Sequence, residues 1–290
     1  MPGKRTWIMV TGATGGIGSA LVGRLIAQGD NVIAAVRDPA RLSHVAGPGR
    51  LVCLRLDMER SETIAAAAAE VAKIVGDNGL SGLVNMAGII VEGPVEAIPP
   101  AELRRQLDIN VVGPMELTQT LLSFLKQARG RVVNIGAISA HITVPFYGPI
   151  AASKSALASL NDAMRLEFAQ FGVDVILIEP GAMKTGIFST SRAARDANLS
   201  AVPQLERYYR PALMKMDRAF EKAGADDPTV VVDAVMTALY EKRPRNRVVV
   251  GKGTGALLML SRLPIRMRDK LVKNALGLTA ALRAPEPKRG

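Results

Sequence analysis

The stretch from Val144 to Leu157, VPFYGPIAASKSAL, brings a phenol, a lysine and a helix start close together. A phenol beside an ammonium loses its proton more readily, and can serve as an acid or base near neutral pH. Proline's fixed φ and missing N–H suit Pro149 to the first helical position, so a helix is predicted from about Pro149 onward. The residue one turn before Lys154 on the same helical face is therefore Ile150, which has no proton to give. Tyr147 falls ahead of the helix. Ser139 and His141, in the preceding loop, are the other proton-carrying side chains nearby. Each of the three has a plainer reading: Ser139 bonding its own loop, Tyr147 packing at a pocket mouth, His141 facing solvent.

A second chemistry is written near the start, in VTGATGGIGSAL. Gly12, Gly16 and Gly18 make a G-x-x-x-G-x-G pattern between an apolar run and an amphipathic one. That spacing serves a tight turn, close backbone approach to a pyrophosphate, and helix–strand packing, which predicts a dinucleotide site. At the end of the next apolar run a carboxylate would accept hydrogen bonds from a ribose diol, whereas an arginine would pair with a 2′-phosphate. The chain has Val36 followed by Arg37, which favours NADP(H) over NAD(H). In the alternative, Asp38 takes the diol and Arg37 is a solvated cation.

Such residues need a scaffold, and the apolar periodicity supplies one. Strands are predicted at 6–10, 31–36, 51–57, 82–87, 130–136, 173–180 and 247–251, with helices at 16–29, 61–75, 100–126, 149–171 and 228–241. Continuous apolar strands separated by helices predict an α/β class: a single-domain, doubly wound Rossmann fold, its parallel sheet covered on both faces. Residues 1–253 form this domain. About 183–227 break the rhythm, as a substrate-binding segment or lid placed after a strand's C-terminal end. Residues 254–290 form a basic amphipathic extension that Pro264 splits into two short helices.

Composition narrows the function classes. The net charge of +11 is concentrated, with thirteen Lys/Arg against three Asp/Glu from Glu241 onward and twenty-four against twenty-three before it. No zinc-ligand spacing, RNA-binding aromatic motif or Arg-rich repeat accompanies the basic end, which argues against a nucleic-acid partner and a metal site. No uninterrupted apolar run of about eighteen residues exists, so no membrane span is expected. Leucines among cations over 254–283 instead leave two readings: peripheral contact with an anionic membrane, or packing on the protein itself or on a second subunit. The start reads as a strand leading into a glycine turn, not a signal peptide. A lone cysteine, Cys53, sits in the apolar run LVCLRL, so a buried, inert thiol and a cytoplasmic location are expected. His44 carries no assigned role.

Taken together these motifs resemble the short-chain dehydrogenase/reductase family over residues 6 to about 253. TGATGGIG, with Thr14 and Ile17 among its glycines, looks like the family's cofactor loop. Asp57 in RLDM resembles its adenine-contacting acid, and NMAG, with Asn85, Ala87 and Gly88, its N-x-A-G strand end. Asn110 in LDINVVG matches its active-site asparagine and Lys154 its lysine. Pro180, Gly181 and Thr185 match the segment beside the nicotinamide. The hydroxysteroid- and retinol-dehydrogenase-like branch is the most similar, which implies a small hydrophobic substrate and a homodimer or homotetramer. The resemblance also places a catalytic tyrosine at Ile150 and an oxygen-binding serine at Ala137, and neither residue carries a hydroxyl. Three readings follow. One is an NADP(H)-dependent oxidoreductase of atypical active site, with a substrate such as an activated alkene, an iminium or a quinone-like ring. The others are a non-redox cyclase or isomerase using the same pocket, and a catalytically silent cofactor-binding protein.

Overall fold

Seven parallel strands lie in the order β3-β2-β1-β4-β5-β6-β7. They span Trp7–Thr11 (β1), Asn31–Val36 (β2), Leu51–Arg55 (β3), Gly82–Asn85 (β4), Arg131–Ile135 (β5), Asp174–Pro180 (β6) and Arg247–Val250 (β7). The computed structural model of the chain describes residues 6–42 and 45–279; His44 and the basic end beyond 279 lie outside this range. The order reverses between β1 and β4. In a doubly wound sheet that switch point opens the crevice where ligands bind.

Alternation along the strands divides the core between two faces. Met9 and Ile33 point to one side, where they meet Ile64 and Val71 of α2 (Ser61–Val75) and Leu117, Leu121 and Leu125 of α4 (Gly113–Ala128). Met164 and Phe168 of α5 (Gly148–Phe168) close that face. Ile8, Val10 and Val32 point to the other, against Leu21 and Leu25 of α1 (Gly16–Gln28) and Val231 and Val235 of α8 (Thr229–Tyr240).

Two regions depart from the simple pattern. The helix expected over 100–126 is interrupted: α3 (Pro100–Leu107) passes through a π-helical turn at Asp108–Val112 before α4 begins. Pro114 brings no N–H to the Asn110 carbonyl, and Gly113 N–H bonds instead five residues back, to Asp108 O. The region 183–227 forms two helices, α6 (Ile187–Ser200) and α7 (Pro203–Ala223). Past β7, α9 (Thr254–Ser261) and α10 (Ile265–Ala275) are separated at Pro264. A third apolar cluster joins these additions, uniting Ile142, Phe146, Tyr147 and Ile150 with Leu199, Leu213 and Met216, and with Val272, Leu276 and Leu278 from the C-terminal segment.

Candidate active site

A cleft of about 740 Å³ opens at the switch point, lined by Gly12 and Thr14 to Gly18 on one side and by Met86 to Glu92 on the other. Gly12 has φ +68°, and a Cβ there would stand 3.0 Å from the Ala87 backbone. At Gly18 a Cβ would lie 2.3 Å from the Gly12 carbonyl oxygen, so only glycine lets the turn fold onto α1. Among the described residues no side chain caps the N-terminus of α1. Its first N–H groups are thus left for an anion, aided by the helix dipole. Thr11 braces the two strands beneath: its hydroxyl accepts from Met86 N and Ala87 N, both at 3.0 Å.

The rim carries charge. Arg37 and Arg41 line the cleft together with Asp57. Asp38 accepts a hydrogen bond from Ala40 N at 3.1 Å, capping a short 3-10 turn at Pro39–Arg41, and it does not line the cleft. That turn sets Arg41 beside Arg37, a second cation that sequence reasoning passed over although the Asp-Pro pair marks the turn. Thr185 reaches the opposite wall, where its Cγ2 would be 3.6 Å from a Cβ at Gly16. Pro180 and Gly181 do not line the cleft; Gly181 N bonds Val250 O at 2.9 Å and packs toward Thr254. Cys53, half-buried on β3, has its thiol pushed up by burial.

Behind Gly88 stands a polar layer. Asn110 Oδ1 accepts from Ile89 N at 2.9 Å, while its Nδ2 donates to Ile89 O at 3.0 Å and to Ser153 Oγ at 3.2 Å. Gln106, one turn earlier, donates to Ile89 O at 2.7 Å and accepts from Val91 N at 2.5 Å. The end of α3 and the π-helical turn thus present one amide each to hold the strand-end loop. Lys154 Nζ donates to Ile135 O at 2.6 Å and would be 4.0 Å from a Cβ at Gly88. Burial pulls its ammonium down to about 8. Asn85 does not face the cleft. Its amide donates to Thr118 Oγ1 and Asn134 Oδ1, starting a buried chain that continues from Asn134 to Asn161. A parallel-sheet strand end can direct that side chain only to one face, and here the face is the core.

The expected reaction centre is apolar. Ile150 is buried, one turn before Lys154 on α5, and Ala137 is a half-buried extended residue ahead of a short turn. Ser139 Oγ, two residues on, is buried and has no hydrogen-bond partner among the described residues, so it does not bond its own loop. His141 does not face solvent freely: its Nε2 lies 2.9 Å from Glu179 Oε1, a fully buried carboxylate on β6. Tyr147 is the residue just before α5, buried edge-on against Phe220 with centroids 5.5 Å apart. Burial pushes its phenol far up, and the neighbouring Glu92 carboxylate pushes it further. Such a phenol keeps its proton.

Glu92 is one of a buried set that sequence reasoning missed. Its Oε1 is 3.1 Å from Arg195 Nη1, and Arg195 makes a bidentate pair with Asp217 at 3.0 and 2.9 Å and reaches Asp196 at 3.1 Å. Burial raises the Glu92 carboxyl, with Tyr147 and Arg195 opposing. Phe146, adjacent, has φ +70° and accepts from Gly93 N at 2.7 Å, tying the same loops together. Nothing short-range in the sequence announces a cluster whose partners come from three separate segments. Among the described residues no group of three or more His, Cys, Asp or Glu is placed to hold a metal ion.

Comparison with known proteins agrees with this geometry. A reductase from Ornithobacterium rhinotracheale, named NADPH-dependent 3-dehydrocapnine reductase, is 33% identical over 276 residues, covering 91% of this chain and 95% of that protein. Human retinol dehydrogenase 16 is 31% identical over 277 residues, covering 92% and 87%. The crystal structure of a short-chain dehydrogenase from Streptomyces avermitilis superimposes with a TM-score of 0.72 at 28% identity, over 88% of this chain and 92% of that one. The short chain dehydrogenase pattern itself matches residues 6–196. With its glycine turn, switch-point cleft and relatives in accord over nearly its whole length, the chain belongs to the short-chain dehydrogenase family.

Proposed function

We propose that the protein is an NADP(H)-dependent oxidoreductase for a hydrophobic substrate whose conversion needs no tyrosine acid. The observation that carries the cofactor reading is the pair Arg37 and Arg41 on the cleft rim, with Asp38 committed to its own turn. Two guanidinium groups match the charge and oxygen geometry of a 2′-phosphate. The relative from Ornithobacterium rhinotracheale, which bears NADPH dependence in its name, supports the same choice. The cradle fits a dinucleotide: a Cβ at Gly12 or Gly18 would fill it, and the α1 N–H groups suit a pyrophosphate.

When bound, the cofactor supplies or takes up a hydride at its nicotinamide ring. Asp57 borders the adenine end, and Thr185 stands over the glycine turn. Lys154, bonded to Ile135 O, would offer its ammonium to the nicotinamide ribose, and Asn110 fixes the backbone at Ile89 beside which the ring would sit. Ile150 and Ala137 put no hydroxyl at a substrate oxygen, and the buried Tyr147 phenol beside Glu92 holds its proton. A carbonyl substrate would then lack the protein acid that ordinarily speeds such a step by roughly 10²–10⁴-fold. An iminium carbon needs no proton on reduction, and an activated alkene or quinone-like ring can draw one from water. The apolar cluster around Ile150 favours a hydrophobic body for any of these.

Calorimetric titration tests the reading. NADPH should bind at least 10-fold more tightly than NADH, since a charge-assisted hydrogen bond contributes about 1.5–3 kcal/mol. The double change Arg37→Ala, Arg41→Ala should erase most of that difference. Equal affinity for the two coenzymes in the unmodified protein would refute the cofactor assignment, and failure of a folded protein to bind either would point to a catalytically silent fold.

A further inference from the structure

The segment after β7 has two faces of different character. Its inner face is committed: Val272, Leu276 and Leu278 are buried, and Leu257 and Leu260 pack beside them, on the cluster that holds Ile150 and Tyr147. Its outer face is apolar and open. Met259 is 73% exposed, Met267 54% and Leu271 46%; Ile265, in the first turn of α10 on the side of Val272, is 65% exposed. Met267 and Leu271 are one turn apart on α10 and form a stripe. Arg262, Arg266, Lys270 and Lys273 are exposed around it.

Over residues 254–279 five Lys/Arg stand against one acid, Asp269, which pairs with the half-buried Arg268. Large exposed apolar side chains interspersed with cations on one surface segment call for a partner. A second copy related by a twofold axis would bring cation against cation across the contact, a repulsive arrangement. A nucleic acid would satisfy the charge and leave the methionines, isoleucine and leucine without apolar contact. An anionic lipid surface satisfies both. No helix among the described residues is long and apolar enough to cross a membrane, so the contact is peripheral.

We infer that the outer face of α9 and α10 seats the protein on an anionic bilayer, with Met259, Met267 and Leu271 entering the interface and the surrounding arginines and lysines meeting lipid headgroups. The same two helices roof the apolar cluster at the reaction centre, so the bilayer lies directly across them from it. The inference stands on this surface alone, whatever the coenzyme.

Flotation of the full chain with vesicles of phosphatidylserine and phosphatidylcholine, or of phosphatidylcholine alone, tests it. At low salt the protein should float with the anionic vesicles and at least 10-fold less with the neutral ones. Binding should weaken at high salt, because headgroup attraction is screened within about 8–10 Å at physiological ionic strength. The pair Met267→Gln, Leu271→Gln and the pair Arg266→Gln, Lys270→Gln should each lower partitioning at least 10-fold while leaving the melting temperature and NADPH affinity unchanged. Three results would overturn the proposal: no flotation with anionic vesicles by well-folded protein, flotation insensitive to Met267→Gln, Leu271→Gln, or a concentration-dependent dimer in light scattering that this variant abolishes. Duplex DNA binding that survives the apolar pair, without flotation, would assign the face to a polyanion instead.

Discussion

Ile150 sits where a proton donor would be expected, so the residue scale is where the chemistry can be rewritten most directly. Ala137→Ser with Ile150→Tyr should raise reduction of a steroid or retinoid carbonyl by roughly 10²–10⁴-fold, the range of a positioned acid. The larger ring enters a packed cluster, so the variant should also lose about 1–3 kcal/mol of stability. NADPH absorbance and chemical denaturation measure the two effects. If the unmodified protein already turns over such carbonyls as fast as the double variant, the acid lies elsewhere. Lys154 gives a second handle through pH. Its buried ammonium titrates near 8, below its ordinary 10.5, so the charge that would meet the ribose fades as pH rises through about 8. NADPH affinity should fall as pH rises through about 8, above the range in which the 2′-phosphate itself titrates, and Lys154→Met should remove that fall. In the coenzyme-free protein the same group works in the opposite direction. Its charged form is penalised by burial below about 8, and that cost is relieved between about 8 and 10.5, while the unfolded chain still holds the proton. Alkaline loss of affinity that merely followed unfolding would show the two quantities falling together.

At the scale of elements, one buried guanidinium ties α6 and α7 to the loop after β4, beside the more exposed Tyr209–Glu96 bond and the Arg192–Asp217 pair. Arg195 is buried and meets Glu92, Asp196 and Asp217. Its removal leaves an uncompensated buried carboxylate, so Arg195→Ala should cost about 3–5 kcal/mol in urea denaturation. Adding Glu92→Gln to that variant should recover part of the loss, because a neutral amide tolerates the site better than a stranded charge. A cost under about 1 kcal/mol would mean the helices are held by apolar packing and their more exposed polar pairs, not by Arg195. Much of the scaffold was legible beforehand because local periodicity dictates it: β2 at 31–36 and α2 at 61–75 coincide with their apolar patterns. The break at Asp108–Val112 was not, since a helical pattern persists through a π-helical turn and only the lost donor at Pro114 marks it. The glycine turn and Arg37 were readable from short motifs. The Glu92–Arg195–Asp217 cluster was not, because its members are remote in sequence and only tertiary packing unites them. Asn85 was legible as a residue but not as a direction, for a strand end does not say which way its side chain turns.

Taken whole, the molecule separates its tasks along the chain. The sheet and its glycine turn make the nucleotide cleft, α6 lines part of its wall, and α9 and α10 cover the apolar cluster. Charge follows the same division, nearly balanced up to residue 240 and strongly positive beyond. The strand order adds a temporal constraint. Thr11 and Val84 hydrogen-bond across 73 residues of chain, and the glycine turn rests on Ala87. During synthesis the first strand therefore waits with one edge open until β4 has emerged. At roughly 5–20 residues per second that interval lasts about 4–15 s. Through it the apolar edge of Trp7–Thr11 is available to any other unpaired strand. The cleft that gives the protein its chemistry thus lies on a seam that closes only when β4 arrives, and until then the nascent chain is open to mispairing there.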